Sequence, residues 1–74
     1  MQSQWIINEE WWGRSATKEQ GLIRSRIHGY NDGHSDWAVL IDGEPVKTGT
    51  IVHGTDHFSM ALVEANQQMK QCLN

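Results

Sequence analysis

Residues 37–52 read WAVLIDGEPVKTGTIV, two apolar and β-branched runs on either side of the dipeptide Asp42-Gly43. Asp-Gly between such runs is the strongest short-range signal for a β-hairpin, because a type I′ turn needs positive φ at both central residues. The segment therefore predicts a strand Trp37–Ile41, a two-residue turn and a return strand Val46–Val52.

The turn also predicts which residues of the hairpin face each other. Counting outward from a two-residue turn, Val39 faces Val46 and Trp37 faces Thr48. Pro45 has no N–H to donate, so the return strand is expected at the edge of a sheet. The partner strand is apolar on both of its faces, which is typical of an interior strand.

Apolar residues in the C-terminal segment recur at i, i+4, i+7, i+11 and i+14, the spacing of one face of an α-helix. This pattern predicts an amphipathic helix that ends near Leu73 and covers one face of the sheet. The residues of the pattern are Phe58, Leu62, Ala65, Met69 and Cys72.

The N-terminal part of the chain predicts two further strands. Gln4–Asn8 forms the first and could continue to Trp12, whereas Leu22–Tyr30 forms the second. Between them, Arg14–Gln20 is polar and short, and we expect a connection with at most a turn of helix. The expected fold class is α+β: an antiparallel β-meander of three to four strands with one C-terminal amphipathic helix packed on one face, in a single domain spanning residues 1–74.

Length and composition limit what the chain can be. It has 74 residues, a net charge of −3 and one cysteine, Cys72, so an internal disulfide is impossible. A chain this short buries only about 60% of its unfolded surface, and we expect a stability of roughly 3–5 kcal/mol. No long apolar run or basic leader is present, which predicts no membrane span and a cytoplasmic protein.

A candidate binding surface lies on the outward side of the predicted strand Leu22–Tyr30, where alternation places arginine and aromatic side chains. Four tryptophans in 74 residues are unusual. Trp5 and Trp37 fit the core, but two adjacent tryptophans in one strand would point to opposite faces. With the acidic end of the hairpin, the candidate binding residues are Trp11, Trp12, Arg14, Arg24, Arg26, His28, Tyr30, Asp42 and Glu44.

These residues predict a module that binds another protein, of the accessory or inhibitory kind found in bacteria and their phages. Tryptophan and arginine anchor many protein interfaces. The alternative is a single-stranded nucleic-acid platform using Arg24, Arg26, Tyr30 and the tryptophans, in which bases stack on aromatic rings. Because the chain is acidic and has only six lysines and arginines, we expect protein rather than nucleic acid.

A third interpretation is a metal site at His53 and His57, with Asp56 between them. The spacing matches no established ligand pattern, so we expect helix capping, no metal and no cofactor. No nucleophile elbow or phosphate loop is present, and we expect no enzyme. A homodimer through the open sheet face or the edge strand is the other partner expected, and Gly49 in that strand marks a bulge or a close backbone approach.

Overall fold

The computed structural model describes residues 4–52 and 56–73 and contains an antiparallel sheet and one helix. Sequential strands are neighbours throughout, in the order β1-β2-β3-β4-β5. The α+β class and the meander are confirmed, but the sheet has five strands instead of the three to four predicted. The elements are β1 (Ile6–Glu10), β2 (Gly13–Gln20), β3 (Ile23–Tyr30), β4 (Ser35–Ile41), β5 (Glu44–Ile51) and α1 (His57–Leu73).

The additional strand is β2, where we predicted a polar connection. Its polar side chains have low strand propensity, but the strand is hydrogen-bonded on both sides, to β1 and to β3. Ala16 lies opposite Ile27 and is fully buried. Lys18 extends along the inner face and donates from Nζ to Oδ1 of Asn66 at 2.8 Å. Pairing with two neighbours therefore overrides local propensity, which is weak for strands.

The first strand does not run through the tryptophan pair. β1 ends at Glu10, and Trp11 and Trp12 form the turn that leads into β2. The backbone N–H of Asn31 donates to the carbonyl of Trp12 at 3.0 Å, and Asn31 Nδ2 donates to the carbonyl of Trp11 at 3.1 Å. The turn is thus fixed to the loop that follows β3.

The predicted hairpin turn is confirmed, since Asp42 has φ 53° and Gly43 has φ 84°. The register beyond the turn is wrong by one residue: Val39 faces Lys47, and Trp37 faces Gly49. The irregularity opposite Val39 and Leu40 is a β-bulge, which places one extra residue on the edge strand. β5 is an edge strand and β4 an interior one, as predicted.

The core lies between α1 and the inner face of the sheet. α1 packs over β3, β4 and β5. Gly49 was predicted to mark a bulge or a close backbone approach, but its close neighbour is a side chain: a Cβ built there would lie 2.5 Å from Nε1 of Trp37. Within the described part of the chain, no helix is long and apolar enough to cross a membrane. The buried apolar residues are Ala16, Ile23, Ile27, Trp37, Val39, Phe58, Ala61, Ala65 and Met69.

Candidate binding face

The face of the sheet opposite α1 is not covered by any element of the described ranges 4–52 and 56–73. Side chains alternate along β3, so that Ile23, Ser25 and Ile27 are buried while Arg24 and Arg26 are exposed. We call this surface the open face. Across β2 to β5 it is formed by Thr17, Glu19, Arg24, Arg26, His28, Tyr30, Asp36, Ala38, Leu40, Thr48 and Thr50.

An aromatic cluster occupies one end of the open face. The ring of Trp12 contacts the ring of His28 edge-on, with centroids 5.5 Å apart, and its centroid lies 5.3 Å from that of the Tyr30 ring. Tyr30 also stacks on His34, with ring centroids 4.6 Å apart and an interplanar angle of 24°. Such pairs stabilise a fixed arrangement beyond the area they bury. The four rings are therefore held in a fixed arrangement by contacts with one another.

Trp11 extends from the turn next to this cluster, with 90% of its surface exposed. Its backbone is fixed by the hydrogen bond from Asn31, while its indole contacts solvent. Trp11 is therefore the most exposed aromatic side chain among the candidate binding residues.

The arginines of the open face differ in how they are held. Arg24 donates from Nε to Oε1 of Glu19 at 2.9 Å, and its Nη2 contacts the same oxygen. The side chain of Arg26 forms neither a hydrogen bond nor an ion pair with any other described residue. Its guanidinium is thus the cation of this face that is available to an incoming acceptor.

Arg26 lines an open basin of about 390 Å³ on the outer surface of β3, β4 and β5. Asp36 also lines the basin, and its Oδ1 accepts a hydrogen bond from Oγ1 of Thr50 at 3.0 Å. Together with Thr48 these groups offer one guanidinium, one carboxylate and two hydroxyls. The basin can therefore recognise a polar group of either sign, but it is too open to enclose a small substrate.

The structure separates Arg14 from the other candidate residues. Arg14 lies on the helix side of the sheet, where its Nε pairs with Oε1 of Glu9 at 3.1 Å. Its guanidinium also lies over the ring of Phe58, 5.8 Å from the centroid. The turn at Trp11 and Trp12 causes this, because it resets which residues of the next strand face outward.

The acidic residues of the hairpin are also apart from the aromatic cluster. Asp42 and Glu44 lie at the β4–β5 turn, at the opposite end of β4 from Tyr30 and His34. Asp42 is in the turn itself, whereas Glu44 pairs with Ile41 on the helix side, so the acidic hairpin borders the open face at one end but Glu44 does not belong to that face. Arg24 and Arg26 lie along β3 between this hairpin and the aromatic cluster.

His34 belongs to the cluster although we did not predict it as a binding residue. Its Nδ1 pairs with Oδ1 of Asp32, and its backbone N–H donates to the same oxygen at 3.3 Å. This Asp-x-His arrangement is an Asx-type turn, a signal that the loop sequence contained. Tyr30 and His34 are brought together at the two ends of the β3–β4 connection, where the backbone N–H of Tyr30 donates to the carbonyl of His34 at 2.8 Å.

The proposed metal ligands do not form a site in the described residues. His53 lies outside them, and among the residues that are described no group of three His, Cys, Asp or Glu side chains could hold a metal ion. His57 instead lies with Nδ1 2.6 Å from Oγ of Ser35. Because Ser35 is fully buried, this pair fixes the start of α1 against β4 and presents no nucleophile to solvent.

No protein-family model, curated protein sequence or solved structure matches this chain. Its function is therefore inferred from its own residues and their arrangement.

Proposed function

We propose that the protein is a binding module, accessory or inhibitory to another protein, which it recognises through the aromatic end and centre of the open face. The observation that supports this most is the 90% exposed indole of Trp11 beside an ordered aromatic cluster. Tryptophan, tyrosine and arginine are the residue types that contribute most to binding energy at protein interfaces. Here all three types lie on one ordered surface with Arg26 at its centre.

The order of this surface favours affinity. Trp12 is held by His28 and Tyr30, and the turn that presents Trp11 is fixed by Asn31. A partner that covers these rings would remove apolar area from water without first having to order them. Preorganisation of this kind lowers the entropic cost of binding.

The charges of the open face favour a protein partner over a nucleic acid. Two guanidiniums, Arg24 and Arg26, are matched by two carboxylates, Glu19 and Asp36, on the same face. One of the guanidiniums is already held by Glu19. A phosphate backbone needs several available cations along its path. The mixed pattern instead suits a protein surface that offers an acceptor to Arg26 and a basic group to the Asp42 and Glu44 end.

Single-stranded nucleic acid is the second candidate, and the exposed indole of Trp11 is the observation in its favour. A base could stack on that ring while Arg26 contacts a phosphate, in a manner worth about 1–3 kcal/mol per stacked base. Binding of this type weakens steeply as salt rises. The two candidates therefore differ in a property that is simple to measure.

Affinity capture with the tagged protein, from bacterial lysate with and without nuclease, tests both candidates. We expect a protein to be retained after nuclease, and to be lost with Trp11→Ala and with Arg26→Ala. Leu22→Ala is the matched control, because Leu22 is 72% exposed at the far β2–β3 turn. All three changes should alter the free energy of unfolding by less than about 0.5 kcal/mol.

Two outcomes would contradict the proposal. Capture that is unaffected by Trp11→Ala and Arg26→Ala would place the binding surface elsewhere. Capture that disappears with nuclease, together with oligonucleotide affinity that falls steeply between 50 mM and 200 mM salt, would assign the open face to single-stranded nucleic acid.

A further inference from the structure

The outer face of α1 carries apolar side chains where an amphipathic helix is usually polar. Phe58, Ala65 and Met69 point into the core, so residues half a turn away point to solvent. There, Met60 is 46% exposed and Val63 is 59% exposed. With their neighbours on the same side of the helix they form a row at spacings of four and three residues. We call this row the outer stripe: Asp56, Met60, Val63, Gln67 and Lys70.

The charges of the outer stripe are symmetric about Val63. Asp56 lies seven residues before it and Lys70 seven residues after it. Both are exposed, and neither side chain forms an ion pair with another residue of the described ranges. One end of the stripe is therefore acidic, the other is basic, and the apolar residues lie between them.

We propose that a second copy of this chain docks on the outer stripe, with the two helices antiparallel and a two-fold axis passing near Val63. In that arrangement Asp56 of each copy lies opposite Lys70 of the other, because their residue numbers are equidistant from the axis. Val63 of the two copies meet at the axis, and Met60 of each copy lies beside this contact and opposite Gln67 of the other copy, so the apolar contact runs diagonally across the interface. Antiparallel helices also place the positive end of one helix dipole beside the negative end of the other, which is favourable. The same patch serves both copies, which is the geometry of a closed dimer.

The charge pattern is what selects a second copy as the occupant. A parallel pair of stripes would place Asp56 beside Asp56 and Lys70 beside Lys70, whereas the antiparallel pair matches opposite charges at both ends. An apolar groove of about 430 Å³ adjoins Met60 and Val63 and reaches Ile51.

The edge strand β5 is the other surface through which two copies could pair. Its Lys47 is folded back over the helix, where Nζ donates to Oε1 of Gln68 at 2.8 Å and to Oε1 of Gln71 at 3.0 Å. Pro45 removes one main-chain donor from this edge, and a bulge interrupts its register. The outer stripe contains no proline and no break in its backbone, so it is the more regular of the two surfaces.

A dimer through the outer stripe points the two open faces away from each other. It therefore leaves Trp11 and Arg26 of both copies accessible and doubles the number of binding surfaces in one particle. Linked surfaces bind a repeated or surface-bound partner more tightly than one surface does. The dimer itself does not depend on what the open face binds.

Sedimentation equilibrium of the full chain between about 10 μM and 1 mM tests the dimer. We expect a weak monomer–dimer equilibrium, because interfaces below about 1,200 Å² are at the weak end of specific association. Val63→Asp should raise the dissociation constant at least about tenfold by placing two carboxylates at the axis. Leu22→Asp, an equally drastic change at an exposed apolar residue far from α1, should leave it unchanged, and circular dichroism confirms that both variants fold.

Charge reversal gives the sharper measurement. Asp56→Lys alone and Lys70→Asp alone each place like charges together at both ends of the interface and should weaken the dimer about fivefold. The double variant restores both pairs in reversed order and should recover the original dissociation constant. A chain that stays monomeric to 1 mM, a dimer insensitive to Val63→Asp, or a double variant no tighter than the single ones would each overturn the proposal.

Discussion

The two faces of the sheet differ in how deeply their side chains are buried. On the helix side, Ile27 and Val39 are fully buried, whereas on the open face the adjacent Arg26 is exposed and Ala38 is only half-buried. Alternate residues of β3 therefore have different roles. Those on the helix side stabilise the fold, and those between them form the open face. Substitutions one position apart along β3 should separate folding from binding.

The difference also shows where the molecule is adaptable. Core side chains on the helix side touch one another closely, and a change of volume there must be accommodated by its neighbours. The aromatic cluster of Trp12, Tyr30 and His34 packs only on the sheet and on itself. Side chains of the open face should therefore tolerate substitution with less effect on the fold than those of the core.

Ile27→Ala compared with Arg26→Ala is the most direct way to break this comparison. Ile27 is fully buried between β3 and α1, so its truncation leaves a cavity and should lower the free energy of unfolding by about 3 kcal/mol. That is a large part of the stability expected for a chain this short. Arg26→Ala should change it by less than about 0.5 kcal/mol. Urea unfolding followed by circular dichroism measures both, and similar losses would mean that the open face also stabilises the fold.

Gly49→Ala and Thr48→Ala compare the stability contributions of the helix side and the open face at the edge strand β5. A Cβ at Gly49 would lie 2.5 Å from Nε1 and 2.6 Å from Cζ2 of the Trp37 indole, so the ring must move. Overpacking of this kind should lower stability by about 2 kcal/mol. Thr48 is exposed on the open face, and its truncation should have an effect below about 0.5 kcal/mol. An unchanged thermal midpoint for Gly49→Ala would show that the indole has an alternative position.

The parts of the fold that local chemistry determines were predictable from the sequence. The turn at Asp42-Gly43 needs two positive φ angles, and both are present. Alternation along β3 predicted the inward Ile23 and Ile27, together with the outward arginines. The register of β5 was not predictable in the same way, because the bulge skips Val46 opposite Val39 and Leu40, and counting residues outward from the turn assumes that none is skipped.

The missing strand and the incomplete site have a common cause, which is pairing between distant segments. β2 has little apolar character, and only its position between β1 and β3 makes it a strand. The turn at Trp11 and Trp12 then sends Arg14 to the helix side and leaves Trp12 against Tyr30. Alternation along β3 predicted that its arginine and aromatic side chains face outward. It could not predict which residues of neighbouring loops contact them.

The smallest expected effects come from two cross-strand ion pairs, one on each face, which sharpen the same contrast. Glu19 and Arg24 pair on the open face and are both more than half exposed, so their coupling should be about 0.5 kcal/mol or less and should vanish in 1 M salt. Glu9 and Arg14 should couple equally weakly. Arg14→Ala should nevertheless still lower stability by about 1 kcal/mol in 1 M salt, where the ion pair is screened, because it also uncovers the ring of Phe58. Double-mutant cycles at 0.05 M and 1 M salt separate the two contributions, and a loss for Arg14→Ala that disappears in 1 M salt would show that its contact with Phe58 contributes nothing.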